Sequence, residues 1–421
     1  MKRKWWVILA AMGAGLAAWL WWGGETRLLR ETELGPASIL GFAPDGRLAV
    51  LSAGELAMID AAGDVELVPS NVRPAYGEIL VGTNGFVFSF NGPGPGGGVT
   101  RIDWSGKELW AFVTNGPVGI PAADAAGSVY FYGPNWMVYV VDRAGAVLWT
   151  KHYGSAAAGM RFFAPALAAD GRVALVGGTN GLIMLDRNGA ELWREAGLGT
   201  GINESSATFL EGGDLLMCDH WTVRRYDPIG RVIWSLTLPD VVGRTSSSSY
   251  LNARPIIAAD GTIYCLGEDQ VFALNPDGKL LWQHSFSSAA RKGWQPHWVS
   301  EWATFTPQGD LVVIAGDRES IVGTAAPGVI TTLAQLARNE RVVCLGRDGL
   351  QKWSQSIPSA FTWSFPLNKV ALEVMWKSRL GLRNTKHLRS LVTAPDGTIY
   401  LSGFVNGKTK IYAIRGDEPK P

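Results

Sequence analysis

Three tryptophans recur at helical spacing in one segment of the chain, at Trp294, Trp298 and Trp302, with Arg291 and His297 between or beside them. On a helical turn, rings at i, i+4 and i+8 form one stripe. Such a stripe is an aromatic platform on which a sugar, a peptide or a quinone ring can stack. The alternative is that a long loop packs these rings into a small core of its own, and the sequence favours this structural interpretation.

Other candidate binding residues fall into two groups. The first group comes just before predicted inner strands, where it should line a central channel: Arg161, Tyr250, Asn252 and Arg254. Its alternative is a solvated funnel lip. The second group begins at Trp376 and Arg379 and continues as a basic run to Arg389. That run could bind an anionic partner or membrane headgroups, although a solvated basic face is the more common structure.

The residue types needed for catalysis are present but scattered. The five histidines lie far apart, without the paired spacing of a metal site. Cys218, Asp219 and His220 are adjacent, but neighbours on a strand point to opposite faces and cannot pair as nucleophile and base. The three cysteines are widely separated, as expected of buried, unpaired thiols. We therefore expect no catalytic residues, no metal site and no enzyme.

A repeat of roughly 40 residues, the period of a β-propeller, positions these side chains. Each copy has a turn such as Asp260-Gly261, two apolar strands, and then Asp/Asn-x-x-Gly-x-x-x-Trp. The closing Trp positions are Trp110, Trp149, Trp193, Trp234, Trp282 and Trp353. Four short antiparallel strands form one blade of such a fold. Eight first turns predict an all-β, eight-bladed propeller, with seven blades as the alternative.

The last repeat lacks its outer strand, and the start of the chain supplies a candidate. Residues 28–35 parallel residues 192–199, with Leu29 in the position of Trp193. We expect this N-terminal strand to complete the last blade and to close the ring, which removes exposed sheet edges.

The repeat Ala-x-Asp-Gly-x-Ile-Tyr, followed by Ala-Leu-Asn-x-x-Gly-x-x-x-Trp, resembles that of the pyrroloquinoline-quinone-like (quinoprotein alcohol dehydrogenase-like) propellers. The non-catalytic outer-membrane assembly lipoproteins of the BamB type share it. The resemblance implies that the six Trp residues dock against neighbouring blades. Two departures are a shorter hairpin before the Trp and a leading Ala kept only at Ala273 and Ala413.

The resemblance also implies what a quinone-dependent member would carry, namely a vicinal disulfide, a calcium-binding Glu/Asn/Asp set and a stacking Trp. No two cysteines are adjacent in this chain, and no acidic cluster matches the calcium set. The resemblance therefore favours the non-catalytic branch and disfavours both pyrroloquinoline quinone and calcium as cofactors.

The first residues differ from the rest. Lys2-Arg3-Lys4 precede an apolar run from Trp5 to Trp22 with Trp at both rims, which predicts an N-terminal signal-anchor helix within residues 1–24. The positive flank predicts the propeller on the extracytoplasmic side, periplasmic or cell-surface. A cleaved signal peptide is the alternative, but the bulky rings before Gly23 do not suit a cleavage site. No Cys follows the run to carry a lipid anchor.

The 421 residues thus divide into the anchor, a propeller over 25–417 and a tail over 418–421. We expect helical or irregular insertions near 285–302, 316–341 and 354–391, with helices over 329–338 and 368–380. A net charge of +1 lacks the basic character of a nucleic-acid binder.

Every long insertion falls on one face of the predicted propeller. Because binding residues commonly lie on loops above a rigid scaffold, we expect a membrane-anchored scaffold that binds a protein or a cell-envelope component there. The alternative is a quinone-dependent oxidoreductase or a carbohydrate-active protein with its ligand in the central funnel.

Overall fold

The chain forms eight four-stranded antiparallel sheets arranged as the blades of a propeller. The computed structural model describes the chain between residues 28 and 416, outside 35–36, 53–54, 69–74, 83–84, 92–95, 154–163, 177–180, 197–205, 220–221, 240–253, 268–269, 287–296, 327–328, 358–387 and 406–407. The eight-bladed all-β fold expected from the repeat is confirmed.

Blades 1 to 7 each consist of four strands that are consecutive in the chain. Blade 8 combines the last three strands with the first strand, β1. Strand β1 is Leu28–Leu34. Blade 1 is β2 (Ala37–Phe42), β3 (Leu48–Ser52), β4 (Glu55–Ile59) and β5 (Val65–Val68); blade 2 is β6 (Ala75–Gly82), β7 (Gly85–Asn91), β8 (Gly97–Ile102) and β9 (Glu108–Thr114). Blade 3 is β10 (Ala122–Ala123), β11 (Val129–Tyr132), β12 (Met137–Val141) and β13 (Val147–His152); blade 4 is β14 (Ala166–Leu167), β15 (Val173–Val176), β16 (Leu182–Leu185) and β17 (Glu191–Glu195).

The remaining blades continue the same pattern. Blade 5 is β18 (Ser206–Phe209), β19 (Leu215–Asp219), β20 (Thr222–Tyr226) and β21 (Val232–Thr237); blade 6 is β22 (Ile256–Ile257), β23 (Ile263–Leu266), β24 (Gln270–Leu274) and β25 (Leu280–Ser285). Blade 7 is β26 (His297–Phe305), β27 (Leu311–Ala326), β28 (Val329–Leu345) and β29 (Gln351–Ser356); blade 8 is β30 (Leu388–Thr393), β31 (Thr398–Val405) and β32 (Lys408–Arg415), with β1 as its outer strand.

Local turn chemistry explains why the hairpins form where they do. Between the third and fourth strands of blade 3, Asp142 Oδ1 accepts the backbone N–H groups of Ala144 and Ala146, each at 2.8 Å. Gly145 then adopts φ +87°, a conformation that favours glycine. The same Asp side chain and the same Gly recur in blade 4, where Asp186 bonds Asn188 and Ala190.

The hydrophobic core is divided among the interfaces between blades. Eight clusters of buried side chains occupy the eight interfaces of the ring, one cluster at each. At the closing interface, Ile39 and Val50 of blade 1 pack with Tyr400 and Ile411 of blade 8. Both faces of each sheet are therefore covered, which explains the nearly continuous apolar sequence of strands such as β24.

The N-terminal strand closes the ring as the sequence predicts, but one residue away from the predicted alignment. Strand β1 pairs antiparallel with β32, with Arg30 opposite Ala413. In blade 6, Ala273 stands opposite Trp282, so Arg30 and not Leu29 holds the Trp position, and Leu29 is 50% exposed. The predicted position of Leu29 was wrong because the alignment with residues 192–199 was offset by one residue. Strand β1 skips Leu29 between Leu28 and Arg30, as the outer strand of blade 6 skips Leu281 between Leu280 and Trp282.

The prediction of a helix over 329–338 is also wrong. These residues belong to β28, which pairs with β27 from Leu311↔Leu345 out to Ala326↔Val329. The β-branched run from Val329 to Thr332 suits a strand, and the long hairpin satisfies backbone groups that a helix would have satisfied internally. Likewise, residues 297–302 are not part of an insertion but belong to β26, the inner strand of blade 7.

Within the described ranges, the helical segment found is the short 3-10 turn Pro134–Trp136. No helix in this part of the chain is long and apolar enough to cross a membrane. The predicted anchor at 1–24, the predicted helix over 368–380 and the tail over 418–421 all lie outside the described residues.

Candidate functional site on the long-loop face

The order of the strands divides the connections between two faces of the propeller. Connections from first to second and from third to fourth strands lie on one face, which we call the turn face. Connections from second to third strands and from blade to blade lie on the other, the long-loop face. Because neighbouring strands are antiparallel in all eight sheets, this division holds around the whole ring.

On the turn face, five of the six predicted docking tryptophans contact the next blade in the same way. Each indole Nε1–H donates to the carbonyl that follows the capping Asp, Asn or Gly of that blade, and the ring covers the Gly of the same turn. The donor–acceptor distances are 3.0 Å for Trp110 to Arg143, 3.0 Å for Trp149 to Arg187, 3.1 Å for Trp193 to Pro228, 3.0 Å for Trp234 to Pro276 and 2.6 Å for Trp282 to Arg347.

Trp353 differs because blade 8 has no turn between its third and fourth strands. There the chain stops being continuous, since β32 ends at Arg415 and β1 begins at Leu28. Trp353 is 7% exposed and packs into the cluster that contains Tyr412 and Ile414. The indole of Trp353 is thus buried among apolar side chains, because the next blade has no turn on which it could dock.

Arg30 takes the role of the docking Trp between blades 8 and 1. Its Nη1 donates to the carbonyl of Ala61 at 2.6 Å, which is the carbonyl equivalent to that of Arg143 in blade 3. A Cβ atom at Gly63 would lie 2.3 Å from Arg30 Nε, so the guanidinium covers this glycine as the indoles cover theirs. Sequence reasoning missed Arg30, although an alignment shifted by one residue would have found it.

A second set of side chains, also missed from the sequence, links neighbouring blades on this face. Arg172 Nη2 donates to the carbonyl of Gly213 in the next blade at 2.7 Å. Arg225 Nη1 donates to that of Pro276 at 2.7 Å, while its Nη2 lies 2.6 Å from Asp214. The one sequence signal was an Arg directly after an Asp-Gly turn, as at Arg172. These contacts use polar groups of the turn face to hold neighbouring blades together.

At the mouth of the central channel on the long-loop face, Arg254 reaches from the start of blade 6 to the carbonyl of Ala164 at the start of blade 4. The contact joins two blades that are not neighbours, and a binding role for Arg254 stays a prediction. Nearby, the Tyr132 hydroxyl accepts the Val176 N–H at 3.1 Å. Burial raises the pKa of Tyr132, against the opposing charge of Arg254, so its hydroxyl stays protonated and hydrogen-bonding.

The connection between β11 and β12 brings an aromatic ring to the same face. Asn135 and Trp136 adopt φ +56° and +59°, a left-handed conformation that is unusual for a bulky residue. Trp136 is nevertheless buried, with its ring edge-on to Tyr132 at 5.9 Å and its carbonyl bonded to the Tyr153 N–H at 3.0 Å. The packed ring thus holds this strained connection in place.

The β27–β28 hairpin extends beyond the other strands of its blade. β26 pairs with β27 as far as Asp317, and β29 pairs with β28 from Arg341 inward. Past these points the two strands continue as a two-stranded ribbon, residues 318–326 and 329–338, on the long-loop face. At about 3.3 Å per residue, this ribbon projects about 30 Å from the blade.

Most other predicted binding residues cannot be placed. Outside the described residues lie Arg161, Tyr250, Asn252, Arg291, Trp294, Trp376 and Arg379. The backbone positions of His297, Trp298 and Trp302 lie on β26, so these three share a strand and not a helical turn. The aromatic platform therefore stays a prediction, and two of its three tryptophans, Trp298 and Trp302, belong to an inner strand.

Some titratable groups of the described residues have shifted pKa values for structural reasons. Burial lowers the pKa of His284, whose Nδ1 lies 3.0 Å from the carbonyl of Gly349 in the next blade. The three cysteines are buried on β19, β23 and β28 and form no disulfide with one another. Across the described ranges, no group of three or more His, Cys, Asp or Glu residues could hold a metal ion.

Comparison with known proteins places the repeat in a family. The model of the family described as "Outer membrane protein assembly factor BamB" matches residues 95–314. A search of curated proteins finds no match. Among solved structures, BamB from Moraxella catarrhalis is 14% identical with a TM-score of 0.44, and the match covers 82% of this chain and 95% of that one.

Two further structures share the fold. The C-terminal WD40 domain of Sif2 is 11% identical with a TM-score of 0.55, over 93% of this chain and all (100%) of that one. The Dos1 propeller is 11% identical with a TM-score of 0.53, over 93% and 96%. At such identities these likenesses show the fold alone. Because the family model matches more than half of the 421 residues, the chain belongs to the BamB-type family of PQQ-like β-propeller repeat proteins.

Proposed function

We propose that this protein is a membrane-anchored, extracytoplasmic scaffold that binds another protein or a cell-envelope component through its long-loop face. The observation that carries the proposal is the contrast between the two faces. On the turn face, the Trp and Arg side chains bond the next blade. The long-loop face instead has the ribbon and the longer connections between blades. The family name, an assembly factor, supports a binding role.

The anchor is tested by extracting membranes with alkaline carbonate. The apolar run from Trp5 to Trp22, with its basic flank, should keep the full-length protein in the pellet. A soluble form shortened by about 24 residues would mean cleavage of a signal peptide and would overturn the anchor.

The binding face is tested by removing the ribbon. Replacing residues 318–337 by an Asn-Gly turn leaves the paired core of β27 and β28 intact, from Leu311↔Leu345 to Ala315↔Arg341. Cross-linked membranes should yield specific partners with the wild type and lose them with this variant. The matched control is Asn188→Ala on the turn face, which should keep every partner. Loss with both variants, or with neither, would contradict the proposal.

We also propose that the protein is not an enzyme and holds no quinone. The support is the placement of its cysteines on three different blades, whereas the quinone-dependent relatives implied by the resemblance carry a vicinal pair. Pyrroloquinoline quinone is titrated with calcium while tryptophan fluorescence is followed, and dye reduction is then assayed. Saturable binding with turnover would favour the oxidoreductase alternative instead.

A further inference from the structure

Strand direction fixes the face on which the N-terminal segment joins the propeller. Every fourth strand begins at the turn face and ends at the long-loop face, and β1 is the fourth strand of blade 8. Leu28 pairs with Ile414 near the end of β32, and Leu34 pairs with Thr409 near its start. Leu28 therefore lies on the turn face, which the contact of Arg30 with the turn carbonyl of Ala61 corroborates.

The distance from the apolar run to this point is short. Five residues, Gly23 to Arg27, separate Trp22 from Leu28, and a fully extended segment of this length spans about 20 Å at most. Strand β1 then runs away from that point over seven residues, about 23 Å. The long-loop face thus begins a strand length farther from the anchor than the turn face does.

From these relations, and resting on the proposed membrane anchor, we propose that the turn face is held against the membrane and that the long-loop face points away from it. The ribbon is then the most distant part of the described chain. Strand β27 begins at the turn face and extends over 16 residues to Ala326, so its end lies about 50 Å from that face.

This orientation defines the partner that the protein can reach. A transmembrane segment in the same bilayer would meet the turn face, where the docking tryptophans and inter-blade arginines already bond neighbouring blades. The long-loop face, at about 20–40 Å from the bilayer, and the end of the ribbon, at about 50–70 Å, instead meet an extracytoplasmic protein domain. The surface fits a partner of the extracytoplasmic space and not a membrane-embedded one.

The orientation is tested by energy transfer from single labelled cysteines to headgroup-labelled lipids, with the full chain in liposomes. The native cysteines are at most 1% exposed and stay unlabelled in the folded protein. Asn188 and Asn115 form a matched pair, since both are exposed asparagines, the first on the turn face and the second after β9 on the long-loop face. Ala326 marks the end of the ribbon strand.

Transfer should be several-fold greater from Asn188→Cys than from Asn115→Cys, and least from Ala326→Cys. Equal transfer from Asn188→Cys and Asn115→Cys, or the reverse order, in liposome-bound protein would overturn the orientation and leave the anchor standing. Protein that stays in the supernatant when the liposomes are pelleted would overturn the anchor, and the orientation with it.

Discussion

At the scale of single residues, one contact repeats around the ring: a side chain of one blade covers a glycine of the next and donates to the neighbouring carbonyl. Five indoles and one guanidinium fill this role. The glycine has positive φ and no side chain, so the ring can approach the backbone closely. The close approach of the indole therefore depends on the glycine.

Replacing Trp282 by Ala should destabilise the propeller by about 2–3 kcal/mol, below the value for a fully buried ring because Trp282 is only partly buried. Trp282→Phe keeps much of the packing and should lose about 1 kcal/mol with the hydrogen bond to Arg347. Its neighbour Leu281 is 51% exposed, so Leu281→Ala should stay within about 0.5 kcal/mol. Denaturant unfolding measures all three, and equal losses would contradict the docking role.

The glycine side of the contact is tested by two alanine substitutions. A Cβ at Gly278, where φ is +79°, would lie 2.5 Å from Trp234, whereas a Cβ at Gly46, where φ is +85°, meets nothing within 4 Å. Gly46→Ala should therefore show backbone strain alone, about 1 kcal/mol. Gly278→Ala should lower the unfolding free energy clearly more, because the indole must also move. A smaller loss at Gly278 would refute this explanation.

His284 should make stability depend on pH. Its pKa lies below the usual 6.5, first because of burial and also because of the charge of Arg341. The unfolded chain then binds the proton more readily, so stability present above pH 6.5 is lost as the pH falls through the folded-state pKa. His284→Gln should show a shallower loss of unfolding free energy between about pH 7.5 and 5.5. Identical pH profiles would rule out this role.

At the scale of elements, β1 is the strand on which closure depends. It pairs with β32, forms the Glu31–Lys410 ion pair and places Arg30 on the first turn of blade 1. Without it, β32 would present an unpaired edge, and exposed edges promote aggregation. The ribbon is the opposite case, because removing it leaves the four-stranded part of blade 7 complete.

A chain that begins at Ser38 should therefore aggregate or melt early, whereas a chain that begins at Glu25 should be stable. Arg30→Ala in the longer chain should have a smaller effect, since it keeps the strand and loses only the contact with blade 1. Thermal unfolding followed by circular dichroism compares them. If the two chain lengths melt alike, β1 does not close the ring.

At the scale of the whole molecule, stability is distributed over eight interfaces, each with its own apolar cluster. In a closed ring every blade has two neighbours, so no interface can separate without strain on the others. If β1 is removed and the ring opens, each blade beside the opening keeps only one intact interface.

The buried cysteines report on this coupling. Cys218 and Cys265 lie between blades 5 and 6, and Cys344 lies between blades 7 and 8. In the intact protein, all three thiols should react with a maleimide at the same denaturant concentration, as one cooperative transition. In the chain that begins at Ser38, Cys344 should react first because its interface lies beside the opening. Simultaneous labelling there would show that the interfaces are not coupled through β1.

The sequence by itself determined the propeller, the number of blades, the closing strand and the spacing of the docking tryptophans. It could do so because the hairpins depend on local chemistry: an Asp or Asn side chain that caps backbone N–H groups, and a glycine at positive φ three residues later. The lengths and order of the connections likewise indicated the one face on which the long insertions lie.

The tertiary structure decided which residue docks blade 8 on blade 1, because the pairing of β1 with β32 places Arg30, and not Leu29, opposite Ala413. It also decided that residues 329–338 form a strand, since their pairing partner in β27 is not visible in their own helix-compatible pattern. The arginines that link neighbouring blades depend in the same way on carbonyls about 40–50 residues away. Pairing and docking are non-local interactions, and their partners are fixed only when the ring closes.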